Sequence, residues 1–285
     1  MRKIISSIDI RKSKIPKLFS AKKVPVFVIS YNRKWQLERS LVSFRQLGDI
    51  EIIIHDNGSD DQTTIGYLKK LERNGITINW GKKIVNADGL NNVNNSIENY
   101  FLKHPECNYI VTDPDIELLQ GAERTLKIYN FLLDKFPDVD CVGTMLKIDD
   151  ISKDYPLYNN VINRHVGQFW QHKPNIIYFN NEPLAYIRCP IDSTFSMHRS
   201  GKKFLRKSDG IRLYGQYSAK HLDWYTDTDR ILGDKYLKKS NPKIAHWTND
   251  EFYREFKDDK LRFKTYFDVE VQGSKMKVVE RKLYP

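Results

Sequence analysis

The chain has 285 residues, room for one large domain or two modest ones and enough to bury a core. With 40% hydrophobic and 12% aromatic residues and a mean hydropathy of −0.59, it is too apolar to be disordered and too polar for a membrane bundle. Lys plus Arg outnumber Asp plus Glu 47 to 36, a formal charge of +11, which asks for an anionic partner.

Residues 1–23 mix cations with isolated Ile and Leu and sustain no apolar h-region, so a basic, solvated tail is expected rather than a signal peptide. No run approaches the ~20 apolar residues that span a bilayer. A basic patch resting on the anionic inner face of the cytoplasmic membrane is the functional alternative for this tail. The three cysteines, Cys107, Cys141 and Cys189, are far apart and lack CxxC or Cys/His spacing. That argues against a disulfide framework or zinc module and fits small buried thiols in a reducing cytoplasm.

At Val24 the pattern changes. Val24-Pro25-Val26-Phe27-Val28-Ile29-Ser30-Tyr31 is a nearly continuous apolar run, as in a strand buried on both faces of a parallel sheet. Leu37, Leu41 and Phe44 have helical spacing over 35–47, closed by Gly48. A second buried strand, 50–56, ends in the turn cluster Asn57-Gly58-Ser59-Asp60-Asp61. A helix through Ile65, Leu68 and Leu71, a strand at 76–80, an Asn-rich loop at 86–92 and a helix bearing Val93, Ile97, Tyr100 and Phe101 follow. Tyr109-Ile110-Val111-Thr112 is the fourth strand and runs into Asp113-Pro114-Asp115. Strands alternating with helices predict crossover βα units in a mostly parallel, Rossmann-like sheet with helices on both faces.

The second half is less regular. The pattern predicts a helix over 120–136, a strand over 139–145, a polar loop over 152–174, short strands at 176–179, 184–188 and 194–198, and helices near 219–225 and 250–256. The simplest division is a nucleotide-binding half, 24–146, followed by an acceptor-binding half, 147–285, of the same domain.

In an open parallel sheet, ligands sit outside the carboxyl ends of the strands. Three such ends carry polar residues: Ser30-Tyr31-Asn32, Asp56-Asn57-Gly58-Ser59 and Asp113-Pro114-Asp115. Asp113 and Asp115 point to one side if the chain stays extended, which Pro114 favours. Paired carboxylates suit Mg²⁺ or Mn²⁺, whose remaining positions take water and phosphate oxygens. A solvated turn that happens to hold two acids is the plain alternative. No GxxxxGK[ST] or GxGxxG stretch exists, so a phosphate would be held by metal and side chains instead.

The runs Val26 through Arg33, Ile52 through Ser59, Asn86-Ala87-Asp88-Gly89 with Asn94-Asn95, and Tyr109 through Asp115 resemble, in order, the motifs of GT-A-fold glycosyltransferases close to family 2. The segments Asp192-Ser193-Thr194-Phe195 and His221-Leu222-Asp223-Trp224-Tyr225 also resemble the DxTF and HLxWY elements of bacterial surface-polysaccharide transferases. The resemblance covers roughly residues 24–116 in the correct order. It implies a GT-A fold and sugar transfer from a nucleotide-sugar donor, expected to be a UDP-sugar, to a glycan or lipid-linked oligosaccharide acceptor, with inversion.

Residue by residue, the resemblance implies that Tyr31, between Ser30 and Asn32, stacks on the nucleobase and that Asp56 bonds the base or ribose. Asp113 would meet the ribose or the metal shell, Asp115 would ligate Mn²⁺ or Mg²⁺, and Asn95 would sit near the donor. His221 and His246 are candidates for a further ligand, and Arg188, Arg199 and Arg212 for steadying the diphosphate. Family 2 members usually place the base in a later Glu-Asp pair, which this chain lacks. Asp192 and Asp223 remain candidates, with Asp192 slightly preferred.

Three other classes compete. A sugar nucleotidyltransferase needs a glycine-rich basic loop, and 30–37 has no glycine. Nucleic-acid binding would explain the charge, but the cations are dispersed and no reading helix or RNP-like motif exists, so no specific nucleic acid is expected. A degenerate transferase that only binds donor sits poorly with the intact DxD.

Overall fold

A computed structural model describes residues 23–84, 87–155, 157–225, 258–273 and 275–283. The first half alternates as β1 (Val24–Ser30), α1 (Lys34–Phe44), β2 (Ile50–Asp56), α2 (Gln62–Arg73), β3 (Thr77–Trp80), α3 (Val93–Phe101) and β4 (Tyr109–Thr112). β1 lies between β2 and β4, parallel to both, with Val26 level with Ile52 on one side and Ile110 on the other.

Two-residue alternation sends the side chains of β1 to opposite faces. Val26 and Val28 pack with Leu37, Leu41 and Phe44 of α1. Phe27 and Ile29 pack with Val93 and Ile97 of α3. Both faces are therefore covered, which is why the strand reads as one apolar run; each fully buried Val or Phe side chain contributes about 1.5–3 kcal/mol.

The chain continues as β5 (Ile116–Leu118), α4 (Thr125–Lys135), β6 (Cys141–Thr144), α5 (Tyr158–His165), β7 (Asn175–Phe179), β8 (Glu182–Ile191), β9 (Ser196–His198), β10 (Ser208–Leu213), β11 (Ala219–His221), β12 (Thr265–Gln272) and β13 (Lys275–Lys282). Strands from both halves share one nine-stranded sheet, ordered β3-β2-β1-β4-β9-β6-β10-β8-β7. β9 and β8 run against the rest. β5 pairs with β11, and β12 with β13, as separate antiparallel ribbons. The expected α/β class, a large mostly parallel sheet flanked by helices, is what the chain adopts.

The second half corrects several expectations. Residues 152–174 hold α5 and a π-helical turn, Val166–Trp170. Their polar residues hid an apolar stripe of Val161, Ile162, Val166, Phe169 and Trp170. Asn163 is buried too, and bonds Asp258 Oδ2, the Lys260 carbonyl and the Arg262 amide. The helix expected near 219–225 is instead β11 followed by a 3₁₀ turn, Leu222–Trp224. The helix expected at 250–256 lies outside the described residues. β10 escaped notice because Gly210 looks like a turn signal. A Cβ there would stand 2.6 Å from Ile191 Cδ1 and 2.9 Å from the Cys141 carbonyl oxygen, so the glycine permits close strand packing. Among the described residues, no helix is long and apolar enough to cross a membrane.

Candidate active site

The ends of β1 and β4 open into one cleft, partly open to solvent and lined by Ser30, Tyr31, Asp113, Asp115, Asp192 and His221 among others. Its acidic corner is assembled by backbone hydrogen bonds. Beyond β4 the chain turns at Pro114 and Asp115 rather than staying extended, and the Pro114 carbonyl accepts from Ser40 Oγ of α1 at 2.9 Å. β5 then pairs with β11, His221 lying opposite Ile116. The Leu222 amide donates to the Asp115 carbonyl at 2.8 Å. This ribbon carries His221 and Asp223 to Asp115.

The result is a cluster of Asp115, His221 and Asp223 whose donor atoms all lie within 4.8 Å of one another. His221 Nε2 stands 3.5 Å from Asp115 Oδ2. The imidazole stacks on Trp224, with centroids 4.7 Å apart and planes 7° from parallel, which fixes its plane. Arg33, the residue before α1, bridges the carboxylates: Nη1 donates to Asp115 Oδ2, and Nη2 donates to Asp223 Oδ2 at 2.7 Å. Gln36 Nε2 lies 3.4 Å from Asp223 Oδ1.

Asp115 is 2% exposed, yet its Oδ1 has no hydrogen-bond partner among the described residues, nor has His221 Nδ1. A buried carboxylate oxygen without a partner is costly. Two carboxylates and an imidazole, one oxygen unspent, fit a divalent cation of the Mg²⁺ or Mn²⁺ type.

Asp113 does not join this cluster. It lines the same cleft, its carboxylate accepts from Ser193 Oγ at 2.7 Å, and its amide donates to the Ser193 carbonyl at 2.7 Å. Burial, then the charges of Asp115 and Asp192, raise its carboxyl above the usual range, against the Ser193 hydrogen bond and Arg206. Asp223, expected as a base, takes the third place beside Asp115 and His221.

Asp192 faces the cleft apart from that cluster. Burial pushes its carboxyl up, but Arg212, Arg206, His165 and a hydrogen bond involving Thr194 outweigh it and hold the group below the ordinary carboxylate range. Arg212 Nη2 is 3.4 Å from Asp192 Oδ1. Arg212 is 2% exposed and donates to the Thr144 carbonyl at 2.9 Å and Thr194 Oγ1 at 2.8 Å, so it positions Asp192 from behind.

Ser30, Tyr31, Asn57 and Lys83 line another part of the cleft. The Lys83 ammonium lies 5.5 Å from the centroid of the Tyr31 ring. Ser30 Oγ and both amide atoms of Asn57 are buried without hydrogen-bond partners among the described residues. Asn57 was not anticipated, although it follows the second strand in the motif. Arg33, Lys83, Arg164, His165 and Arg206 were also missed; all line the cleft.

Five expected residues stand elsewhere. Asp56 is fully buried, and its oxygens accept from the Ser59 amide at 2.8 Å and Ser59 Oγ at 2.6 Å, so it shapes the turn after β2. Asn32, at φ 49°, accepts from the Asp60 and Asp61 amides, both at 2.9 Å, clipping β1 to the loop after β2. Asn95 is exposed on α3; its neighbour Asn94 instead pins Phe204 by two backbone bonds. Arg188 is exposed on β8 and pairs with Asp138. Arg199, also considered for the diphosphate, binds the Leu133, Phe136 and Val139 carbonyls. His246 lies outside the described residues.

No family model matches the chain, and neither does any curated protein. Among solved structures it is similar to the mannosyltransferase PcManGT from Pyrobaculum calidifontis in complex with GDP-Man and Mn²⁺, at 16% identity and TM-score 0.38, covering 62% of this chain and 44% of that one. It is also similar to S. aureus TarS 1–349 in complex with UDP, at 15% identity and TM-score 0.41, covering 82% and 70%. A longer S. aureus TarS structure matches at 14% identity and TM-score 0.40, covering 79% of this chain and 41% of that one.

Proposed function

We propose that this chain is a nucleotide-sugar glycosyltransferase that uses Mn²⁺ or Mg²⁺, and that its donor is a UDP-sugar. The observation that carries the reading is the Asp115, His221 and Asp223 cluster, with a carboxylate oxygen unspent, at the strand-end rim of an open cleft. When bound there, the ion neutralises negative charge developing on the departing diphosphate.

The chain's own groups do the rest. Tyr31 offers an aromatic face to the base, and Ser30 and Asn57 offer unpartnered polar atoms beside it. Lys83, Arg164 and Arg206 supply positive charge along the walls. Asp192, held ionised by Arg212 and its neighbours, is free of the cation cluster and accepts the acceptor hydroxyl's proton as the sugar is transferred with inversion. The acceptor is a glycan or lipid-linked oligosaccharide of a bacterial surface polysaccharide, and the +11 charge favours work at the anionic inner face of the membrane.

Thermal shift with UDP, GDP and CMP, with and without Mn²⁺, tests the donor class. A ligand at a hundred times its Kd stabilises the native state by about 2.7 kcal/mol. UDP with Mn²⁺ is expected to give the largest shift. Donor hydrolysis in the same samples should depend on Mn²⁺. Pyrophosphate release from a nucleoside triphosphate and a sugar 1-phosphate would replace the reading with nucleotidyl transfer.

A further inference from the structure

Arg33 is a cation already standing where a divalent ion would bind. Its two terminal nitrogens hold one oxygen each of Asp115 and Asp223, the two carboxylates of the cluster, and its side chain is 10% exposed. Its backbone is well anchored, because the Arg33 carbonyl accepts from the Leu37 amide at 3.0 Å in the first turn of α1. The side chain above that anchor is long and lines the cleft.

Asp115 Oδ1 is unspent, but Arg33 occupies Oδ2 of both acids, so an ion seated between the two carboxylates competes with the guanidinium, the two cations repelling at short range in a water-poor corner. An ion entering the cluster therefore turns the Arg33 fork off Asp115 and Asp223. The space it turns into is the cleft, where a planar fork of N–H donors matches the oxygens of a diphosphate. We propose that Arg33 is a displaceable counter-cation: it closes the acidic cluster in the ion-free protein, is driven off by the divalent ion, and then grips the donor's diphosphate. The proposal rests on the reading of the cluster as a cation site. By linkage, the ion and the diphosphate then favour one another's binding through Arg33, beyond any contact they make directly. It also gives the ion-free protein a reason to keep two acids together in a buried corner.

The test compares the whole protein with Arg33→Gln and Arg33→Lys. Mn²⁺ binding is titrated by the electron paramagnetic resonance of the free ion, and UDP binding is measured calorimetrically at saturating Mn²⁺. Arg33→Gln is expected to bind Mn²⁺ about tenfold more tightly and UDP about tenfold more weakly, within the usual range of coupling. Arg33→Lys keeps the charge without the fork and should fall between on both measures. It carries the test if Arg33→Gln does not fold. A purely structural role would weaken Mn²⁺ binding, so an unchanged or weaker Mn²⁺ affinity in Arg33→Gln overturns the proposal, as does an unchanged UDP affinity. Should neither wild type nor variants bind Mn²⁺, the cation reading itself falls and takes this one with it. Mn²⁺ binding indifferent to Arg33 removes this one alone.

Discussion

Replacing Asp115 with asparagine keeps the shape of a side chain that is 2% exposed and removes one of two carboxylates from the cluster. In wild type, Mn²⁺ at a hundred times its Kd stabilises by about 2.7 kcal/mol. For a chain of this size each kcal/mol is worth about 2–4 °C, so the ion should raise Tm by about 5–10 °C. Losing an anionic ligand that weakens the ion about a hundredfold leaves the same Mn²⁺ concentration near Kd, where the stabilisation is only about 0.4 kcal/mol. The Asp115→Asn shift should therefore shrink to about 1 °C. Its ion-free Tm also falls, because Arg33 loses a charged partner inside the fold, so each protein is compared with its own ion-free baseline. Differential scanning fluorimetry across a Mn²⁺ series is the assay. A variant that keeps the wild-type shift, or full Mn²⁺-dependent donor hydrolysis, would refute the assignment of the cluster.

Asp192→Asn should cut transfer by about 10²–10⁴-fold while UDP and Mn²⁺ binding persist; parallel loss of binding would mean that Asp192 holds substrate. Arg188→Ala should leave transfer within a few-fold of wild type in a steady-state assay, because Arg188 pairs with Asp138 away from the cleft. Gly210→Ala should lower the urea midpoint, costing about 1–3 kcal/mol through its clash with Ile191 and the Cys141 carbonyl, and an unchanged midpoint would contradict the packing. Burial brings His198 down to about 3 from 6.5. The unfolded chain thus takes up a proton below 6.5 that the native state refuses until about 3, so this stability is complete above 6.5 and erodes as pH falls. His198→Gln should flatten the acid limb by up to about 1.4 kcal/mol per pH unit, read from urea unfolding between pH 7 and 4.5; identical slopes would count against a neutral buried imidazole.

What was legible in the sequence is what local pattern encodes. β1, β2 and β4 lie between helices on both faces, so each is mostly apolar on both of its sides and the strands stood out with their ends nearly in register. Asp113 and Asp115 were visible because they follow such a strand. The division of labour between them was not, because it depends on distant partners. Ser193, 80 residues on, takes Asp113, and β11, paired with β5, delivers His221 and Asp223 to Asp115. Asp56 finds its partners close by. A carboxylate at a strand end suggested a ligand, and the turn that follows claimed both oxygens through Ser59.

By itself the sequence determined which segments are buried strands, where the sheet's polar rim lies, and that two acids stand on it, since burial on both faces and alternation along a strand are local constraints. Only the tertiary structure decided which acids share a corner. Arg33 meets Asp223 across 190 residues of chain, and one guanidinium bridging two carboxylates requires strands, helix and ribbon to have packed first, a condition that no spacing along the chain expresses.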